Sequence, residues 1–434
     1  MTTLGFHYFP DETHYRKADL HTWLPELLAL DAKWVTLIGS MTRAVPESFI
    51  SGLLSAGVEP IIYLPAVPTG PDPQHVVGAT LSQLFKSYAR WGVRFVAVFA
   101  EPNMRAAWAP KDWGQAGLVD RFLDRLLPIL KAEMDAGLQP VFPALRAGGD
   151  YWDTAFLDAC LTGMIQRGQV DLARELTFAI NLWTFNRPLD WGHGGRRQWP
   201  DAKPYLTPPG SQDQRGFHLY DWYDEIIQAR LGEVRPFVTL AGGPRLGDQT
   251  DPAFPAVDDL RHASCIQDIT GVIRGGQAPH HLLNVNLWLL AAADGSPFAA
   301  EALYRPNGAP LTAAHTLKQA PAHGLPPARR RVNESKALGL DQAAAQLVGA
   351  PDKLLRHYVL LPVFEWGVSD WHWNAALDFV KAHRPVCGFS ADEAAHAEHV
   401  TIVGNEQGIS PAIEAQLRQA GCEVDRIGLS PARA

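Results

Sequence analysis

The chain has 434 residues, of which 47% are hydrophobic and 19% charged, with a formal net charge of −8. This is the composition of an ordinary soluble protein too long for one small core, and its acidic balance argues against nucleic acid or an anionic membrane as the main partner. The four cysteines, Cys160, Cys265, Cys387 and Cys422, are scattered with no C-x-x-C pair, so they read as buried thiols in a reducing compartment, not a disulfide framework.

In chain order, residues 1–319 alternate strand and helix signals. A first strand spans residues 4–9, and the helix after it carries Leu20, Trp23, Leu24, Leu27 and Leu28 on one face. Strand two covers 33–38. A helix with proline in its first turn follows over 46–54, and Gly57 stops it before strand three at 59–64. Leu81, Leu84, Phe85 and Tyr88 mark the next helix, and strand four covers 95–100. Leu118, Phe122, Leu126 and Ile129 form another stripe, which Gly137 ends before strand five at 138–143. Strands six, seven and eight are read at 176–183, 236–240 and 282–288. Eight such repeats fit a (β/α)8 TIM barrel; a doubly wound sheet is the competing fold, but no dinucleotide fingerprint follows strand one, and no cofactor is expected.

Residues 320–337, rich in proline and arginine, read as a linker. Beyond it, 338–434 reads as a small three-layer α/β domain, with strands at 357–363, 399–403 and 422–427 and helices at 374–380 and after Ser410 and Pro411. No charged and apolar leader precedes residues 4–9, and no apolar run approaches membrane-spanning length. A cytoplasmic location without membrane insertion is therefore expected.

The chemistry centres on Glu101. It closes the apolar run 95–100 and is followed by Pro102 and Asn103, which places a carboxylate at the C-terminal lip of a buried strand. A competing reading is a carboxylate that pairs with a loop or caps the next helix. Fourteen tryptophans are an excess for this length. Trp183, Trp191, Trp199 and Trp222 lie in or beside segments rich in Gly, Pro, Arg and Asp, where flat aromatic faces suit sugar rings. The long connection 184–216 holds Asp190, Trp191 and several arginines, as expected of a lid or binding loop.

Ala100-Glu101-Pro102-Asn103 resembles the Asn-Glu-Pro motif that ends strand four in the clan A retaining glycoside hydrolases. The resemblance implies a general acid/base role for Glu101 and matches Trp288 to the aromatic that often ends strand eight. It also expects a glutamate nucleophile at the end of strand seven, where this chain has Leu240, and an asparagine where it has Ala100. Leucine cannot attack an anomeric carbon, so the usual double displacement is closed. A loop carboxylate such as Asp150, Asp153, Asp190, Asp248 or Asp294 would have to serve instead, in an inverting arrangement, or the barrel keeps only a sugar-shaped cleft.

The site expected on this reading has Glu101 as general acid, with His7, Asn103, Trp183, Trp191, Trp288 and Asp190 contacting a carbohydrate. Residues 241–247, with two glycines and Arg245, are a weaker candidate for a phosphate cradle. His280 and His281 precede strand eight at the far end of the barrel, and no metal-binding or G-x-S-x-G spacing occurs, so no catalytic metal or serine nucleophile is expected. The segment from His399 through Gly404 and Gly408 resembles one cell wall-binding repeat, with Asn405 where the repeat's second glycine stands. That resemblance implies contact with an envelope polymer. Self-association or docking on the barrel is the alternative.

Overall fold

The computed structural model describes residues 2–69, 78–319, 353, 355–362, 370–383, 385–406 and 408–427. Two compact units divide the chain, Met1–Ala328 and Arg329–Ala434. The linker expected over 320–337 lies outside the described residues.

The first unit is a mixed α/β fold with parallel strands: β1 (Thr3–His7), β2 (Trp34–Ile38), β3 (Glu59–Leu64), β4 (Phe95–Val98), β5 (Val141–Phe142), β6 (Thr177–Trp183), β7 (Phe237–Gly243) and β8 (Asn284–Leu287). They form two sheets, ordered β4-β3-β2-β1-β8 and β5-β6-β7. Isolated parallel bridges join β4 to the chain before β5 (Phe95 to Gln139) and β7 to the chain before β8 (Phe237 to Leu282).

Both seams are completed by buried side chains. Between β7 and β8, Asn284 accepts from the Thr239 amide (3.0 Å) and donates to the Thr239 carbonyl (2.9 Å), standing in for a missing ladder pair. Asn284 also donates to Asn286, and Asn286 to Thr36, at 2.7 and 2.8 Å. Gly5 is required beside this network, because a Cβ there would collide with the Asn286 amide and the Trp34 backbone. At the other seam the buried Glu133 accepts from the Val141 amide at 3.0 Å.

Alternation along the strands divides the core. Trp34, Ile61, Phe95, Ala97, Val141, Ala144, Ala179, Val238 and Leu240 form one buried cluster, while their neighbours Val35, Ile62, Val96 and Phe178 join the larger cluster. This two-residue period is what separates the two faces of a sheet. The larger cluster takes in the helices that follow the strands, including Phe49, Phe85, Phe122, Phe156, Ile227 and Ile269.

Three strand expectations are corrected. β4 stops at Val98, because Phe99 (φ 66°) and Glu101 (φ 46°) adopt left-handed backbone. Glu101 therefore stands on a turn beyond the strand, which breaks before Pro102 and not because of it. β5 shrinks to Val141–Phe142 between Pro140 and Pro143, neither of which can donate to a ladder. β7 runs three residues further than expected, through Gly243. A Cβ on Gly242 would stand 2.8 Å from the Leu182 carbonyl, so this glycine serves the close approach of β6, and the expected phosphate cradle is in part a strand.

The second unit holds a parallel four-stranded sheet ordered β10-β9-β11-β12, from β9 (Leu355–Leu360), β10 (Val386–Gly388), β11 (Ala397–Val403) and β12 (Glu423–Ile427). One face packs Tyr358, Leu360, Val400 and Ile402 with Ile413 and Leu417 of the helix Pro411–Gln419. The other packs Val359, Leu361 and Val403 with Ala376 of the helix Asp370–His383. β10 had no counterpart in the sequence reading. Residues 363–369 and 428–434 lie outside the described residues.

Candidate functional site

The C-terminal end of β4 presents Glu101 beside two polar neighbours. Its Oε2 accepts from Arg146 Nε at 2.9 Å, and the Asn181 side chain also hydrogen-bonds it. Burial pushes the carboxyl above the ordinary carboxylate range, and Arg146 and Asn181 only partly offset that. The Tyr63 hydroxyl nearby is itself pushed up, by burial first and then by the Glu101 charge. A carboxyl that keeps its proton to higher pH than usual is suited to donating it.

Asn103 lies fully buried beneath this group. Its amide donates to the carbonyls of Arg146 and Tyr151, both at 2.9 Å, and its oxygen accepts from the Arg146 amide at 2.9 Å. Those bonds fix the loop that carries Arg146, so Asn103 acts on Glu101 through its partner. Asp153, at the start of the helix Asp153–Gln166, is a second buried node. Its Oδ1 accepts from Gly148 N (2.8 Å) and Gln214 Nε2 (2.6 Å), and its Oδ2 from the Tyr223 hydroxyl (3.0 Å). Burial raises its carboxyl to about 6 despite those donors.

An aromatic wall is built at the ends of β1, β6 and β8. The His7 and Trp288 rings lie 4.7 Å apart and the Trp183 and Trp288 rings 5.9 Å apart. Trp288 Nε1 donates to Glu301 at 2.9 Å, and Glu301 holds Arg245 through two 2.7 Å bonds. The Arg245 guanidinium also sits 5.7 Å from the Trp183 ring centre. His7 is buried, with Nδ1 3.1 Å from the Leu240 carbonyl and no hydrogen-bond partner at Nε2. Burial lowers its pKa to about 4; the Leu240 and Phe9 carbonyls favour the proton but do not prevail. A neutral imidazole is the result at neutral pH.

The wall and the carboxyl meet along β6. In that strand the partly exposed residues at its end are Asn181 and Trp183, flanking buried Leu182, so one face of one strand carries both the Glu101 partner and an aromatic ring. Glu101, His7, Trp183 and Trp288 thus stand after or at the ends of β4, β1, β6 and β8, with Asn181 and Trp183 of β6 linking the carboxyl to the wall.

Trp191 and Asp190 take other places. Trp191 Nε1 donates to Asp213 at 3.2 Å, and Arg187 covers its ring at 4.3 Å. Asp213 is buried, yet hydrogen bonds from Arg215 and the charge of Arg187 hold its carboxyl at about 2. These contacts tie the connection 184–216 together. Asp190 is exposed, with its neighbour Trp191 committed to that cluster. Of the loop acids considered for a second carboxylate, Asp150 accepts from the Arg105 amide (2.8 Å), Asp248 from Thr250 (2.9 Å to its amide), and Asp294 is exposed. Leu240 is buried among apolar side chains, and no acid occurs anywhere in β7.

Sequence reasoning missed Asn181, Glu301 and the role of Arg146. Asn181 left a trace, as a polar residue in an otherwise apolar strand. Glu301 left none, because its contact with Trp288 depends on how the chain after β8 folds back. Also unforeseen, His193, His218 and Asp221 bring one donor atom each to within 4.8 Å of one another. A surface cavity of about 390 Å³, lined in part by Glu12, Arg16, Lys17, Arg43 and Ser48, lies beside the loops after β1 and β2 and includes none of the groups around Glu101.

No family model and no curated protein matches the chain. Solved structures similar to it include a family 39 glycoside hydrolase from Bacteroides cellulosilyticus WH2, at 12% identity and a TM-score of 0.46, covering 73% of this chain and 63% of that one. A GH39 β-xylosidase from Caulobacter crescentus gives 14% identity and a TM-score of 0.45, covering 73% and 70%. A GH128 endo-β-1,3-glucanase from Sorangium cellulosum gives 18% and 0.41, covering 74% and 98%. The chain therefore spans less than two thirds of the first of these.

Proposed function

We propose that the first unit is a closed (β/α)8 barrel of glycoside hydrolase type that acts on or binds a carbohydrate, with Glu101 as its general acid. The two interstrand bridges support closure. The observation that carries the function is the joint placement on β6 of Asn181, which bonds the Glu101 carboxyl, and Trp183, which packs against Trp288. A proton donor beside aromatic faces is the combination that glycosidic bond cleavage uses. Arg146 orients the Glu101 carboxyl, and Asn103 positions Arg146. Trp183 and Trp288 would stack on the sugar, and neutral His7 would offer Nε2 to a hydroxyl.

The missing β7 acid favours a second reading, in which the cleft binds saccharide without cleaving it. Glu301 touches the wall at Trp288, but Arg245 and Trp288 already occupy its carboxylate. A cytoplasmic location completes the proposal, with the second unit contacting a copy of itself; surface association through contact of that unit with an envelope polymer is the alternative. Among the described residues no helix is long and apolar enough to cross a membrane.

Turnover of aryl glycosides by the wild type, Glu101→Gln and Glu301→Gln separates the two readings. At least a hundredfold loss in Glu101→Gln with saccharide binding retained supports the hydrolase. Saccharide binding without turnover in the wild type supports the binding protein, and turnover unchanged in Glu101→Gln removes Glu101 from the chemistry.

A further inference from the structure

We propose that His193, His218 and Asp221 form a binding site for a divalent transition metal, with zinc the best-matched ion. Two imidazoles and a carboxylate are the donor types zinc takes, and three protein ligands leave a fourth position for water. Their donor atoms lie within 4.8 Å of one another. Ligand atoms around a tetrahedral zinc stand about 3.3 Å apart, given bonds of about 2.0–2.1 Å. One edge already has that length, since His218 Nδ1 is 3.2 Å from Asp221 Oδ2. The His193 and His218 ring centres are 4.7 Å apart, against about 5 Å for two imidazoles on one tetrahedral ion.

The arrangement is held in place before any ion arrives. Gly192, Gly194 and Gly195 flank His193 with φ of 76°, 81° and 65°, backbone that other residues rarely adopt. Gln212 accepts the Gly192 amide at 2.7 Å, Trp222 Nε1 donates to the Gly192 carbonyl at 2.8 Å, and Trp199 Nε1 donates to the His193 carbonyl at 3.1 Å. Asp221 accepts the Gly194 amide at 2.8 Å, which sets its carboxylate against the same turn. His193 itself remains exposed, so its ring can swing the last ångström at little cost, whereas His218 is the N-cap of the helix Leu219–Leu231 and Asp221 lies in its first turn.

His218 Nδ1 also faces the Tyr220 hydroxyl at 3.0 Å. A protonated Nδ1 can share its hydrogen between Asp221 and the Tyr220 oxygen, and an ion taken by Nδ1 would replace both contacts. The bound ion would clasp the connection 184–216 to the helix whose Tyr223 reaches Asp153. Its role is to strengthen that tie.

The test is titration of the full chain with zinc chloride after dialysis against EDTA, followed by calorimetry and by melting temperature. One equivalent is expected to bind and to raise the melting temperature. His193→Gln and His218→Asn should each weaken binding at least tenfold and abolish the zinc-dependent rise. His193→Gln alters an exposed side chain, so its melting temperature in EDTA should equal that of the wild type. Absence of stoichiometric binding, or binding equal in the wild type and His193→Gln, would overturn the proposal.

Discussion

Replacing Asp153 with asparagine is expected to make the protein's stability less dependent on pH. Burial holds the folded carboxyl at about 6 against an ordinary 3.8, and the residue is fully buried, so solvent does not dilute the effect. Between those values the folded state keeps a proton that the unfolded chain has released. Its contribution is therefore complete below pH 3.8, declines as pH rises through about 6, and is flat above. A gap of about two pH units is worth roughly 3 kcal/mol at about 1.4 kcal/mol per unit.

Asparagine can occupy the same bonds. Both amide donors, from Gly148 and Gln214, go to Oδ1, which asparagine keeps, and the Tyr223 hydroxyl at the other position can turn from donor to acceptor. Stability of the variant relative to the wild type should thus rise by about 2–3 kcal/mol from pH 4 to pH 7. Urea unfolding followed by tryptophan fluorescence measures this, since eleven of the fourteen tryptophans precede residue 300. Taking the difference between the two proteins cancels the other titrating groups. A difference that stays flat across this range would refute the reasoning.

Three further outcomes follow from the site. Arg146→Met removes the cation that opposes burial at Glu101, so the carboxyl should titrate at higher pH than in the wild type in a carboxyl-carbon NMR titration; an unmoved or lower value contradicts the pairing. Asn103→Ala leaves the Arg146 amide and the Tyr151 carbonyl without this partner, while the Arg146 carbonyl keeps the Gly149 amide, for a loss of about 1–3 kcal/mol in urea unfolding. Gly242→Ala forces a Cβ to within 2.8 Å of the Leu182 carbonyl and should cost about 1–3 kcal/mol, with no protection by inorganic phosphate. A phosphate-dependent rise in melting temperature would restore the cradle reading.

The strand pattern was legible because the β-strands are buried on both faces and read as apolar runs. β3 falls where the residues place it, at Glu59–Leu64. Strand ends were harder, since a proline pair shortens β5 and two left-handed residues cut β4, neither of which apolar content reports. Glu101 could be singled out from sequence, but its partners could not. Arg146 lies 45 positions away, and its bond depends on a loop pinned by Asn103. Glu301 meets Trp288 only because the chain after β8 turns back on its own strand. Nor did composition show the surroundings of Trp191, whose ring is covered by Arg187 from its own polar loop.

Saccharide binding at the aromatic wall tests the central claim most directly. Calorimetric titration with a panel of oligosaccharides should give binding to the wild type that falls at least tenfold in both Trp183→Ala and Trp288→Ala. Binding that neither substitution changes, or no binding by any saccharide, would contradict a carbohydrate cleft at the Glu101 lip.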